Sequence, residues 1–374
     1  MAEKKARPSD QNSINADVVV VGAGPAGTVA AKKCAEKGMD TLLLEKRKLP
    51  RRKVCTGLII STLAHTIISE EFGDIPQEAI TDPGNIVGYQ WHSDEAGDEK
   101  QEMTGIVNIW RKELDHWMNL KATDAGVRLW DDTSVSHVIQ EQDGITLQIN
   151  KSGQDQKIRA RYVIGADGSG SLIRRQIFPD LDPYVVTVLT ECHPGSLDAD
   201  RNYLHLFGSP QTTPNRDWFD VIHKKGCFLL NCSNDLRPAK ESHNLAKKLL
   251  TEKWGFNPES KPLWTDATIG PVLTREVRDR EFFPARGNVL LAGYAAGLST
   301  PSERGEGEAI NMALKGGLMA SSAVIKAADT SREAADTYEP ELQKYIDVTK
   351  TLEADMLHYT THWEERDKVL SRLL

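Results

Sequence analysis

No apolar run in the 374 residues approaches the roughly 18 that a membrane-crossing helix needs, so an integral membrane protein is not expected. Peripheral membrane contact stays open. Cysteine is scarce. The five present (34, 55, 192, 227 and 232) are odd in number, form no CxxC pair and have no His/Cys spacing of a zinc site. That excludes a disulfide scaffold and a structural metal, and it predicts a reduced, cytoplasmic protein. Basic charge is also short: 46 Lys and Arg against 54 Asp and Glu leave a net charge of −8, so no field exists to hold nucleic acid. The opening stretch, MAEKKARPSDQNSIN, has no apolar segment and reads as a loose polar leader, not a signal peptide.

What the chain does have is concentrated in Ala16–Glu45, ADVVVVGAGPAGTVAAKKCAEKGMDTLLLE. Val18–Val21 is a short β-branched run of the kind found in buried parallel strands. Gly22-Ala23-Gly24-Pro25-Ala26-Gly27 follows, then a helix of small residues stopped at Gly38, then a strand Thr41–Leu44 ending on Glu45. This order predicts a βαβ unit for a dinucleotide. Gly22 permits the tight turn, Gly24 lets the backbone approach a pyrophosphate, and Gly27 brings the helix close to the sheet. The helix start offers free N–H groups and the positive end of its dipole to the phosphates. Glu45 is placed to accept hydrogen bonds from ribose hydroxyls and argues against a 2′-phosphate, but NAD and FAD both remain open.

Two more stretches have the form strand, glycines, helix. Tyr162–Ile164 leads into Gly165-Ala166-Asp167-Gly168-Ser169-Gly170-Ser171, which is either a further ligand site on the sheet edge or a helix start capped by Ser171 or Ser169. Asn288–Ala292 leads into GYAAGLSTPSERGEGE and a helix, Ala309–Ala328, whose small residues allow close packing. Between them, 59–80 reads as helical, Asp82-Pro83-Gly84 as a break, and Ile86–Trp91 and Glu102–Val107 as short strands. Ile109–Ala122 reads as an amphipathic helix with Ile109, Leu114, Trp117 and Leu120 on its apolar face and Arg111 and Asp115 as a surface i,i+4 pair. A hairpin is expected around Gln142-Asp143-Gly144. Alternating segments between 184 and 232 predict an antiparallel sheet in a second domain. The tail ending in MLHYTTHWEERDKVLSRLL is mildly amphipathic and is expected to dock on the body. The basic loop LPRRKVCTGL is either a solvated charge run beside a buried cysteine, or it brings Arg51 and Lys53 to phosphates and Cys55 to a cofactor ring.

The order GxGxxG…Glu45, Ala166-Asp167-Gly168, Gly293-Tyr294-Ala295-Ala296-Gly297, with Arg111 between the first two, resembles the flavoprotein class that includes p-hydroxybenzoate hydroxylase. Within it, Pro50-Arg51-Arg52-Lys53-Val54-Cys55 and the later Gly305-Glu306-Gly307 are similar to the geranylgeranyl reductase family. The resemblance implies an α/β fold: a Rossmann-like FAD-binding domain (14–80, 106–181 and 271–345) with an inserted antiparallel substrate domain (81–105 and 182–270) and a C-terminal helical tail (346–374). It implies FAD as cofactor. Gly22, Gly24, Ala26, Gly27, Glu45, Lys46 and Arg51 would serve the ADP half, and Cys55, Thr56 and Leu58 would lie near the flavin. Arg111 and Val135 would line the cleft, Asp167, Gly168, Tyr294 and Gly297 would sit at the second and third sites, and Gly305 to Glu308 would cover the isoalloxazine. This sequence departs from the family where Tyr294 replaces an Asp, where the CGG of the family is Cys-Thr-Gly, and where the signature YxWxFP reads Trp218-Phe219-Asp220-Val221-Ile222-His223.

These observations predict an FAD-dependent oxidoreductase that reduces a carbon–carbon double bond of an apolar or isoprenoid-like small molecule, with Cys55 or His223 as the acid. An aromatic-type monooxygenase using NAD(P)H and oxygen, and a flavin-binding protein with little turnover, are the alternatives. No second strand-led GxGxxG exists, so electrons are expected from NAD(P)H visiting the same cleft or from a ferredoxin-like protein.

Overall fold

A computed structural model of the chain describes residues 14–92, 97–181, 184–207, 218–234, 239–302, 305–307, 309–355, 358 and 362–374. A parallel sheet runs in the order Val289–Leu291, Gln154–Gly165, Ile14–Val21, Thr41–Leu44, Arg128–Trp130. Its strands are buried on both faces, which is why Val18–Val21 and Thr41–Leu44 read as unbroken apolar runs rather than alternating ones. The helix Pro25–Glu36 packs on this sheet, flanked by the helices Arg111–Asp124 and Ala309–Thr330. An antiparallel meander, Thr133–Glu141 and Gly144–Lys151, joins the sheet through the long strand Gln154–Gly165.

A second, mixed sheet runs in the order Trp264–Val272, Tyr184–Pro194, Cys227–Asn234, Trp218–Lys224, Tyr203–Phe207, Ile80–His92, Glu99–Ile109, Leu58–Ile59. All pairs are antiparallel except Tyr203–Phe207 with Ile80–His92. One face, with Val221, Phe228 and Leu230, is covered by the helix Ala239–Trp254. The opposite face, with Leu204, Leu206, Ile222 and Leu229, packs against Leu58, Ile60 and Trp110. Residue alternation along each strand therefore decides which side chains meet the segments around the glycine turns.

Several boundaries differ from the sequence expectation. The first strand of the 80–109 hairpin does not break at Asp82-Pro83-Gly84. It spans Ile80–His92, with a register shift between Ile80 and Asn85 that accommodates the proline. The stretch 59–80 is helical only over Thr62–Phe72 and Gln77–Ala79. Ile109 ends a strand, the following helix starts at Arg111, and Leu120 is half exposed. Of the tail, the described residues dock on the body: Val369, Leu370 and Leu373 are buried in the main core, and the Trp363 ring lies 5.2 Å from that of Tyr89 on the second sheet. Among the described residues no helix is long and apolar enough to cross a membrane.

Candidate active site

Three strand ends converge at the carboxyl edge of the parallel sheet. Gly22 N–H donates to Leu44 O (2.7 Å), Ala166 N–H to Val21 O (2.8 Å) and Ala292 N–H to Gly165 O (2.9 Å), so the three glycine-bearing turns are stitched edge to edge. Gly22 has φ +107°, and a Cβ there would overlap the Ala166 carbonyl. A Cβ on Gly27 would overlap the Gly22 carbonyl oxygen, which is the close helix–sheet approach its spacing predicted. The helix starting at Pro25 has no side-chain cap and no acid in its first turn, leaving its first N–H groups and dipole for an anion. Buried Asn119 braces the turn, its Nδ2 donating to Ala23 O (3.3 Å) and its Oδ1 accepting from Thr28 Oγ1 (2.7 Å).

Around this turn lies a cluster of charges. Glu45 accepts from Ala23 N–H (3.2 Å), Arg47 N–H (3.0 Å) and Arg51 Nε (2.8 Å). Arg51 also reaches Asp115 Oδ2 (3.3 Å), and its Nη2 lies 3.6 Å from the point where a Gly24 Cβ would stand. The guanidinium is thus parked over the glycine that a pyrophosphate would approach. Burial opposes its charge, but Asp115 and Glu45 outweigh that and hold it above its ordinary pKa. Arg111, which the resemblance placed in the cleft, and Asp115 are buried rather than forming the surface pair of the plain spacing reading, and they pair twice, Nε to Oδ1 at 2.9 Å and Nη2 to Oδ2 at 3.1 Å. Their i,i+4 spacing is the same for a surface and an interior pair; the helix simply presents that face inward. Burial opposes the Arg111 charge, but Asp115 and the nearby Cys55 sulfur outweigh it and hold the guanidinium above its ordinary pKa. Lys53 is pushed down to about 8 by burial and by Arg111 and Arg51. Two carboxylates face three cations, an excess of one positive charge that suits a pyrophosphate.

The basic loop therefore packs on the site instead of standing in solvent. Cys55 is half-buried and free, accepting from Gly57 N–H (3.3 Å). Thr56 is half-buried beside it, and Leu58 is buried against the second sheet. Lys46 is exposed, Ala26 lies beneath Gly293, and Val135 is half-buried opposite Ile149 in the meander.

The second and third glycine turns are joined by a residue the sequence did not single out. Arg174 is buried, and its guanidinium donates to Ser169 O (2.6 Å), Ala295 O (2.9 Å) and Tyr294 O (3.3 Å). Asp167 uses both oxygens on the following helix, accepting from Ser171 Oγ (2.5 Å), Leu172 N–H (2.7 Å) and Ile173 N–H (3.3 Å), while Ser171 is the N-cap. Burial raises the Asp167 pKa in spite of these donors. Both readings of this turn thus meet: Gly168, with φ +80°, lies on the edge, and the carboxylate is engaged in the cap. Tyr294 is half-buried in the turn Gly293–Ala296, and Gly297 closes it in the left-handed region at φ 72°. Thr300–Ser302 pairs with Gly305–Gly307, so Gly305, Glu306 and Gly307 form a backbone flap, and Glu308 lies outside the described residues.

His223, expected as an acid, faces the other way. It is fully buried on the side of Val221 and Phe228, where its Nε2 accepts from Leu197 N–H (3.2 Å). Its neighbour Lys224 takes the inward face. Also buried, Lys224 donates to Gly57 O (3.2 Å), Ile109 O (2.9 Å) and Asn108 Oδ1, three acceptors for three ammonium hydrogens. Burial pushes its pKa down to about 7. The sequence reading did not single it out; only the strand register assigns it.

Residues 15–182, which carry the glycine turn, Glu45 and the charge cluster, match the FAD binding domain family, and FAD is the cofactor. An uncharacterised protein of Methanosarcina barkeri is 28% identical over 329 residues, covering 85% of this chain and 77% of that protein. Protein CbrA of Escherichia coli is 25% identical over 327 residues, covering 85% and 84%. Among solved structures, a geranylgeranyl bacteriochlorophyll reductase-like protein from Thermoplasma acidophilum has the same fold, with a TM-score of 0.73 and 20% identity over 96% of this chain and 88% of that one. The flavin-dependent halogenase CmlS shares it too, with a TM-score of 0.64 and 17% identity over 96% and 70%.

Proposed function

We propose that this chain reduces a carbon–carbon double bond of an apolar, isoprenoid-like molecule. Bound and reduced, FAD supplies the hydride. The protein's residues do the rest. The Gly22–Gly27 turn and the uncapped helix start hold the pyrophosphate, and Arg51 turns from Glu45 to the phosphates, freeing Glu45 for the ribose hydroxyls. Cys55, steadied by Arg111 and the Gly57 amide, stands between the charged loop and the second sheet and is the candidate proton donor.

The observation that carries this reading is the inward face of the second sheet. Leu58, Leu204, Ile222 and Leu229 are buried there, with Tyr89, Trp91, Trp110 and Trp264 around them. Such a surface suits a hydrocarbon chain and excludes water from the reacting bond. NAD(P)H or a ferredoxin-like protein supplies the electrons.

The test is to reduce the holoprotein anaerobically and add geranylgeraniol. Reoxidation without oxygen, yielding a product two hydrogens heavier, is the expected result. Turnover only with oxygen, with one oxygen atom in the product, would make the protein a monooxygenase instead.

A further inference from the structure

The inward face of the second sheet, apolar over Leu204, Leu206, Ile222 and Leu229, carries Lys224 near one end and a polar row across it. Strand register sets Thr190, Asn231 and Asp220 opposite one another on three neighbouring strands, and Leu206 and Trp91 continue the row. Alternation puts these residues on the same face as Cys192, Leu229 and Ile222, the face that meets Leu58 and Trp110. Thr190 Oγ1 donates to Asn231 Oδ1 (2.5 Å), which fixes the amide so that Nδ2 donates to Asp220 Oδ2 (3.1 Å). There the chain of bonds stops. Asp220 Oδ1 is buried without a hydrogen-bond partner in a residue only 1% exposed.

An ionised carboxylate in this position would leave one oxygen bare in a medium that cannot solvate it, with a single neutral amide on the other. Among the described residues no ion pair with Asp220 forms. Burial pushes its pKa up to about 7, although the Asn231 amide and the more distant Lys224 favour ionisation. With the Asn231 amide on Oδ2, the proton of the neutral carboxyl sits on Oδ1, where no described residue offers an acceptor. A donor held ready on an apolar face is the usual device for orienting a ligand that is otherwise hydrocarbon.

The geometry points to Asp220 as a specificity residue that donates a hydrogen bond to a hydroxyl or carbonyl oxygen of an otherwise apolar, unsaturated substrate. This rests on the inward face being the substrate surface, as proposed above. The substrate is then an oxygen-bearing isoprenoid and not a bare polyene, and the bond to Asp220 fixes how far along the chain the reacting double bond lies.

The test uses the FAD-loaded protein and equilibrium binding read by tryptophan fluorescence, with farnesol and the matching hydrocarbon farnesene as probes. Wild type should bind farnesol about tenfold more tightly than the hydrocarbon, the discrimination expected of one satisfied buried hydrogen bond. Asp220→Leu should cut that preference to under about twofold, and Asp220→Asn, which keeps an N–H donor, should restore it. An infrared difference between wild type and Asp220→Asn should show a protonated-carboxyl stretch that moves when farnesol binds. This second measurement decides the matter if the leucine variant does not fold. A farnesol preference untouched by Asp220→Leu, or a carboxyl band that ignores farnesol, overturns the assignment while leaving the substrate face intact. Failure of both probes to bind wild type overturns the substrate face itself.

Discussion

At the scale of single residues, Glu45 pairs with Arg51, and on the proposed reading it would receive ribose hydroxyls once the cofactor draws Arg51 away. Glu45→Ala should weaken FAD binding by about 1–3 kcal/mol, the worth of a charged acceptor, measured by flavin fluorescence titration. Tyr294 tests the third turn. A phenol offers one neutral bond where a carboxylate offers charged ones, so Tyr294→Asp is expected to bind FAD more tightly; weaker binding would show that the tyrosine is used. The amides that could replace it are already spent, since Gly297 N–H donates to Tyr294 O (3.2 Å) and Leu298 N–H to Gly293 O (3.0 Å). His205 and His223 are buried, and burial pushes both down to about 4. The unfolded chain takes up their protons as pH falls through about 6.5, the native chain only near 4, so stability should be lost as pH falls across that window. Urea titrations at pH 7, 5.5 and 4.5 should show it, with a shallower loss in His205→Gln. Gly22, Gly27 and Glu45 were legible because their spacing alone imposes their roles. Lys224 and His223 were not: a strand gives adjacent residues opposite faces, and nothing local says which face is which.

At the scale of elements, the helix Ala309–Thr330 explains why its sequence is so poor in large side chains on one side. A Cβ on Gly317 would overlap the Ala26 carbonyl, and one on Gly316 would come 2.8 Å from the Gly293 nitrogen. The helix thus seats the first helix and the third glycine turn together. Gly317→Val should destabilise the fold by about 1–3 kcal/mol through overpacking and lower FAD affinity as well, because Ala26 sits in the phosphate-binding turn. Thermal unfolding with and without FAD separates the two effects. Parallel strands and this helix were readable from continuous apolar runs and small-residue content. The strand through Pro83 was not, because a bulge tolerates a proline that a regular ladder rejects. For Arg111 and Asp115 the spacing alone could not decide between a surface and an interior pair: helical spacing reports that two residues share a face, never whether that face is wet.

At the scale of the whole molecule, polar links tie the second sheet to the segments around the glycine turns. Ser169 Oγ lies 3.0 Å from Thr268 Oγ1, and Arg47 lies 3.6 Å from Asp266. The C-terminal segment closes over this junction, with Thr62 N–H donating to Asp367 Oδ1 (2.8 Å) and Trp363 against Tyr89. Replacing Trp363 by Ala should leave FAD content unchanged and raise the KM for an isoprenoid alkene, because the ring packs on the second sheet and not on the glycine turns.

The neighbours of the first strand come from distant parts of the chain. Ile14–Val21 lies between Thr41–Leu44 and Gln154–Gly165, and the helix that seats Ala26 begins only at residue 309. A ribosome making this protein therefore finishes the phosphate-binding turn early and its support last. Until some 330 residues have emerged, the first helix has only the sheet and the helix Arg111–Asp124 to lie against. Flavin capture is thus expected only after the helix Ala309–Thr330 has formed, and a chain truncated before it is expected to carry the whole fingerprint yet purify without yellow colour.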